Sequence, residues 1–193
     1  MASSETAQRV IDMIVAHRER FEAFCRSLSE EELSRPVPDS TWLVKDFVSH
    51  LATLDPWIVR SFEAAAAERT ADAGPMSDLD AYNEGLVTAR RDWPLERILE
   101  EARVNRAALI EALERLTEED VGRTVHFMGD AKRSPADLPL KVFLLGWARH
   151  DPIHAADMLR ALPERQPDTE LAAWTDDPVI KAYQIAMSGP PRR

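Results

Sequence analysis

The 193-residue chain carries 34 acidic and 24 basic side chains and has a formal net charge of −10. Such a surface repels phosphate backbones and anionic lipid headgroups, so we expect neither nucleic acid nor a membrane as a partner. The single cysteine, Cys25, excludes an intramolecular disulfide, and the N-terminal residues lack the basic and apolar segments of a signal peptide. We therefore expect a cytoplasmic protein of ordinary globular composition.

The first half of the chain has the apolar periodicity of two long helices. Apolar residues spaced three and four apart predict the first helix over residues 5–28 and the second over residues 41–67. Pro56 lies inside the second span, and proline lacks the N–H that a helix interior needs. We therefore expect a kink or a short break near Asp55.

The second half has two further long helical patterns. The third helix is predicted to start at Pro94 and the fourth to cover residues 134–162. A long crossover over residues 69–77 and a short helix over residues 79–91 separate the two halves. Almost no segment has the alternating pattern of a strand, and residues 122–134 are expected to form a loop.

These elements predict an all-α fold, a four-helix bundle with one long crossover. The bundle is expected to occupy residues 1–162. The remaining residues, 163–193, are punctuated by prolines and contain one predicted short helix over residues 177–187. We expect this extension to pack on the bundle or on a partner subunit.

Three histidines lie on stripes that are expected to face the bundle interior. His150 and His154 are one helical turn apart and continue the stripe of Phe143 and Trp147, while His50 has an equivalent position on the second helix. Burying an unpaired polar group costs roughly 1–3 kcal/mol, and one divalent metal ion would satisfy all three imidazoles. Three nitrogen ligands with an open fourth position are typical of a catalytic metal site.

Other interpretations remain open from the residues alone. The three histidines are also consistent with core residues that are hydrogen-bonded to their neighbours. Asp157 lies on the same face as His154, where it could orient a ligand histidine or a bound water. Pro152 predicts either a kink between His150 and His154 or a new helix that starts near Asp151 after a break.

For the remaining candidate residues, a structural role is favoured over a direct role in binding or catalysis. His17 lies on the apolar stripe of the first helix and is expected to be structural or to line a pocket, whereas His126 is expected on the surface. Trp57 and Trp147 are on the histidine stripes. They are expected in the core, where Trp147 could also form the wall of a pocket.

Two segments resemble the DinB-like superfamily, which includes DinB proteins, thiol-dependent maleylpyruvate isomerases and DfsB-type proteins. Residues 41–51, TWLVKDFVSHL, resemble its W-x-V-x-D-x-x-x-H-L motif, and residues 150–157 resemble its second signature, a pair of metal ligands on the last helix. The resemblance implies an up-down-down-up bundle that is often dimeric. It also implies a metal centre, matched here by His50, His150 and His154.

The resemblance further implies an enzyme that uses a low-molecular-weight thiol. The expected activity is a transferase or isomerase reaction on a small electrophile, with zinc or nickel as the metal and a homodimer as the assembly. One alternative is a metal-free, DfsB-type protein that binds small molecules for self-protection, with a pocket lined by Trp57, Trp147 and His17. A second alternative is a dimeric bundle whose site is vestigial.

Overall fold

The computed structural model describes residues 4–67, 70–71, 78–128 and 134–181. Most of these residues are helical. None of the helices among them is long and apolar enough to cross a membrane. In chain order the helices are α1 (Glu5–Ser27), α2 (Glu30–Leu33), α3 (Val44–Thr53), α4 (Asp55–Ala66), α5 (Leu79–Thr88), α6 (Leu95–Glu114), α7 (Glu118–Gly122), α8 (Leu140–Trp147), α9 (His150–Leu159) and α10 (Thr169–Thr175).

The helices of the first half have the predicted extents apart from their ends. Helix α1 begins after Ser4, whose side-chain oxygen accepts a hydrogen bond from the N–H of Ala7 and so caps the first turn. The second predicted helix is divided at Leu54 into α3 and α4. Pro56 falls in the first turn of α4, where its missing N–H costs no helical hydrogen bond, so the predicted break near Asp55 is confirmed.

The prediction of the fourth helix is wrong at its start, and the helix that the structure shows there is interrupted in the middle. Residues 136–139 are a strand, so helix α8 begins only at Leu140. A break at Ala148 and Arg149 then separates α8 from α9. Because α9 begins at His150, Pro152 lies in its first turn, where proline is tolerated. His150 and His154 are therefore on one continuous helix.

A small sheet corrects the expectation of a loop at residues 122–134. Strand β2 (Thr124–Phe127) pairs in parallel with β1 (Thr70–Ala71) and antiparallel with β3 (Ala136–Pro139). The sequence of β2 is rich in β-favouring residues, but four residues are too few for an alternating pattern to be evident. Most of the predicted crossover and part of the predicted loop lie outside the described residues.

The long helices form the predicted all-α four-helix bundle. Helix α1 packs against α6 and α9, and α3 packs against the same two helices, so α1 and α3 lie at opposite corners. The buried apolar residues form two clusters. The first cluster is built around Phe21, Phe47 and Ile98, and the second around Ile14 and Ile58.

Four buried charged residues lie between these two clusters; we call them the ionic layer. They are Arg18 of α1, Asp55 of α4, Arg106 of α6 and Asp151 of α9, and each is at most 6% exposed. Arg18 donates to both carboxylate oxygens of Asp151, with its Nε at 3.0 Å and its Nη2 at 2.9 Å. Arg106 donates from Nε to Asp55 Oδ2 at 2.6 Å, and its Nη2 lies 3.5 Å from Asp151 Oδ1.

The ionic layer links all four corners of the bundle. Burial alone would raise the pKa of Asp151, but Arg18 and Arg106 outweigh it and hold that pKa below its usual range. Asp151 is therefore ionised beside these two cations. Buried charges are tolerated only when they are paired in this way.

The C-terminal residues that the structure describes pack against the bundle. Trp174 of α10 is 6% exposed and belongs to the first apolar cluster. Arg165 donates to both carboxylate oxygens of Glu32, at 2.7 Å and 2.9 Å. Helix α10 was not predicted. Residues 178–181 are helical, and the rest of the predicted helix over 177–187 lies outside the described residues.

Replacing Arg106 tests the ionic layer. The Arg106→Met substitution keeps the aliphatic stem but leaves the Asp55 carboxylate buried without its cation, so we expect a loss of about 3–5 kcal/mol in the free energy of unfolding. Arg103→Met on the same helix is the matched control, because Arg103 is 43% exposed and its surface ion pairs contribute less than about 1 kcal/mol. Equal losses in urea denaturation of the two variants would contradict a special role for the layer.

Candidate metal centre

Three histidines come together where the two broken helices of the bundle meet. His50 lies in the last turn of α3, His150 is the first residue of α9, and His154 follows one turn later. Their ring centroids are 4.6 to 5.4 Å apart. One ring nitrogen from each residue lies within 4.8 Å of the other two. The three residues singled out from distant parts of the sequence are thus neighbours in space.

The hydrogen bonds fix which nitrogen of His154 faces the cluster. Its Nδ1 lies 3.0 Å from Asp157 Oδ2, and a carboxylate only accepts, so Nδ1 carries the proton. Its other ring nitrogen, Nε2, lies 3.0 Å from His150 Nε2. Two lone pairs cannot face each other at that distance, so a proton or a cation has to lie between them.

The electrostatics of the site favour neutral imidazoles. Burial lowers the pKa of His50 well below its ordinary value of 6.5, and neighbouring His154 lowers it further. Burial also lowers the pKa of His150, with additional contributions from the two other histidines and from Arg106 and Arg18. His50 Nδ1 is buried and has no partner among the described residues. A divalent cation suits such a set of neutral nitrogen donors.

The cluster opens into a cavity of about 1510 Å³ whose lining is aromatic around the histidines. The ring of Trp147 lies 4.2 Å from that of His150, and the ring of Trp42 lies 4.9 Å from that of His50. Trp147 Nε1 also donates to Asp55 Oδ1 at 3.2 Å, which connects this wall to the ionic layer. The cavity therefore lies next to the ionic layer.

The other candidate residues named from the sequence lie around the histidine cluster or elsewhere in the fold. Asp157 contacts His154, and Trp57 and Trp147 line the cavity. His17, expected as a structural or pocket residue, is outside the described lining and accepts a hydrogen bond from Trp174 Nε1 at 3.0 Å. This hydrogen bond connects α1 to the C-terminal residues. His126 is on strand β2, half-exposed, and lies 2.8 Å from the carboxylate of Asp137.

Sequence reasoning missed the ionic layer beneath the site. The available signal was a charged residue inside an apolar stripe. Arg18 lies between the buried residues Ile14 and Phe21 at steps of four and three, and Arg106 interrupts the stripe of α6 in the same way. Asp55 and Asp151 are in the first turns of α4 and α9, where a carboxylate is also favoured by the positive end of the helix dipole.

Residues 14–142 match the model of a family described as the mycothiol maleylpyruvate isomerase N-terminal domain. This match covers more than half of the chain. The chain belongs to that family. Its membership confirms the DinB-like resemblance of residues 41–51. The matched residues include His50 and end before His150 and His154.

Two solved structures share the fold of this family member. They are crystal structures of the mycothiol-dependent maleylpyruvate isomerase and of a histidine-to-alanine mutant of it, at 12% and 13% identity, each with a TM-score of 0.61. The similarity covers 79% of this chain and 60% of each of those chains, so this chain spans less than two thirds of them. At this identity the similarity establishes the fold alone. No curated protein sequence matches the chain.

The lowered histidine pKa values predict how the stability of the metal-free protein depends on pH. In the unfolded chain these groups protonate near 6.5, whereas His50 and His150 remain neutral in the fold. The unfolded state therefore binds more protons below pH 6.5, and the free energy of unfolding should fall between pH 6.5 and 5. The loss is up to about 1.4 kcal/mol per pH unit for each histidine.

Chemical denaturation of metal-free protein across this pH range measures the slope. His50→Gln and His150→Gln should each reduce it, because neither glutamine titrates. His126→Gln is the control and should leave the slope unchanged, since His126 lies on the half-exposed strand β2. A slope that is the same in wild type and in both cluster variants would show that these histidines are not buried in their neutral forms.

Proposed function

We propose that this protein is a metal-dependent enzyme that uses a low-molecular-weight thiol to transform a small electrophile by transfer or isomerisation. The observation that carries this proposal is the set of three histidine nitrogens within 4.8 Å of one another at the base of a large cavity. The chain belongs to the family described as the mycothiol maleylpyruvate isomerase N-terminal domain, and this membership supports both the use of a thiol and a small-molecule substrate.

In this proposal His50, His150 and His154 hold one divalent ion, zinc or nickel. A divalent ion bound by three neutral imidazoles supplies Lewis acidity, which lowers the pKa of a thiol in the open position. Asp157 has a positioning role, because its carboxylate keeps the proton on His154 Nδ1 and leaves Nε2 free to coordinate. Neutral His50 and His150 need lose no proton before binding the ion.

The surrounding residues determine what reaches this centre. Trp42, Phe47 and Trp147 shield three sides of the histidine cluster from water, with ring centroids 4.2 to 5.4 Å from the imidazoles. A less hydrated site strengthens the electrostatic interactions inside it. The wider part of the cavity is left for the thiol and its reaction partner.

Asp157→Asn tests the metal site together with its positioning residue. The amide no longer fixes the His154 tautomer, so we expect cobalt(II) affinity to fall roughly 10- to 100-fold, measured from the visible absorption of the bound ion. Asp137→Asn is the matched control, since it removes a carboxylate from His126 outside the cluster. An equal affinity of wild type and both variants would contradict the proposed role of Asp157.

The thiol is tested on the cobalt-loaded protein with cysteine as the probe. Adding cysteine should change the visible spectrum while the cobalt still elutes with the protein, and adding serine should not. A spectrum that is unchanged by cysteine would contradict thiol binding at the ion. If the protein takes up no metal but still binds small molecules, the result would instead favour the alternative of a metal-free binding protein.

The homodimer and the cytoplasmic location expected from the sequence stay predictions. The same holds for the division of the chain at residues 162 and 163.

A further inference from the structure

The size and lining of the cavity contain information about the second reactant, the electrophile. Pockets that bind a single small ligand usually measure about 300–1,000 Å³, whereas this cavity measures about 1510 Å³. There is room for a thiol beside the histidines and for another molecule. The inference below rests on the proposed function, because it concerns the partner of that thiol.

The basic side chains of the lining are already paired. In the part of the chain that the structure describes, the lining includes Arg160, Arg165 and Lys181. Arg160 Nη2 lies 2.6 Å from Asp39 Oδ2, and Lys181 pairs with Asp176. Arg165 holds Glu32 with two hydrogen bonds, which lower the pKa of that carboxyl to about 2. An anionic ligand would have to compete with a carboxylate for each of these cations.

The lining also includes two buried, uncharged polar atoms and a group of aromatic rings. The indole Nε1 of Trp57 and the amide Oδ1 of Asn83 are buried and have no partner among the described residues. One is a neutral donor and the other a neutral acceptor. The ring of Trp57 belongs to an aromatic group with Phe127, Phe143 and Trp147, at centroid distances of 5.9 to 6.4 Å.

We infer that the cavity selects an uncharged aromatic electrophile and discriminates against dicarboxylates. An aromatic ring fits the wall that includes Trp57 and Trp147. A dianion gains no unpaired cation and lies near the lining carboxylates of Asp39, Asp157 and Asp176. The preferred substrate therefore differs in charge from maleylpyruvate, the dicarboxylic acid in the names of the structural relatives.

A pair of unreactive probes separates charge from shape. Dimethyl phthalate and phthalate share a benzene ring and two ortho carbonyl groups but differ by two negative charges. Calorimetric titration of metal-free protein should give a dissociation constant at least about tenfold lower for the diester. Equal affinities, tighter binding of phthalate or no binding of the diester would each overturn the inference. Because no metal is present, these results do not depend on the proposed metal site.

Asp39→Asn tests the reason for the selectivity. It releases Arg160 from its carboxylate, so phthalate should bind about two- to fivefold more tightly while the affinity for dimethyl phthalate is unchanged. Asn suits this position because residue 39 has a φ of 56°. Glu164→Gln is the control, since it removes one of the two carboxylates paired with Arg35, which is outside the lining, and should affect neither probe.

A second variant tests the aromatic wall. Trp57→Leu replaces the ring with an aliphatic side chain, so it should weaken binding of dimethyl phthalate about three- to tenfold, and unchanged binding would contradict the aromatic wall. If Asp39→Asn leaves phthalate binding unchanged, the pairing of Arg160 is not what excludes anions, and the inference fails.

Discussion

The pairing of four buried charges is the constraint on which the rest of this bundle depends. Arg18, Asp55, Arg106 and Asp151 come from four different helices and are almost completely removed from solvent. Desolvating such groups is so costly that they are tolerated only when each charge meets its partner. The two apolar clusters above and below the ionic layer would tolerate some sliding of the helices. The layer would not, because a shift of a few ångströms leaves a charge unpaired.

The same constraint positions the candidate site. Asp55 and Asp151 occupy the first turns of α4 and α9, so the two helix breaks lie at the level of the ionic layer. His50 precedes the first break and His150 directly follows the second, which brings both rings to the same level of the bundle. Trp147 extends the connection, since it donates to Asp55 and lies against His150. The histidines thus lie beside the two carboxylates of the ionic layer, next to the same helix breaks.

Much of the fold could be predicted from apolar periodicity, because long amphipathic helices repeat their pattern many times. The histidines could be predicted as a group for the same reason, since each continues a stripe. The strand at Thr124–Phe127 and the break before His150 could not, because they depend on a few residues and on tertiary contacts. The ionic layer was missed because a single arginine in a stripe, such as Arg106, does not reveal its partner 51 positions away.

The metal content of untagged purified protein, compared with that of a His50→Ala, His154→Ala double variant, tests the central claim most directly. A polyhistidine tag has to be absent because it binds the same ions. We expect close to one equivalent of a transition metal in the wild type and none in the double variant. A wild-type protein that binds no metal even after incubation with zinc and nickel would contradict it, and the histidine cluster would then belong to a metal-free binding pocket.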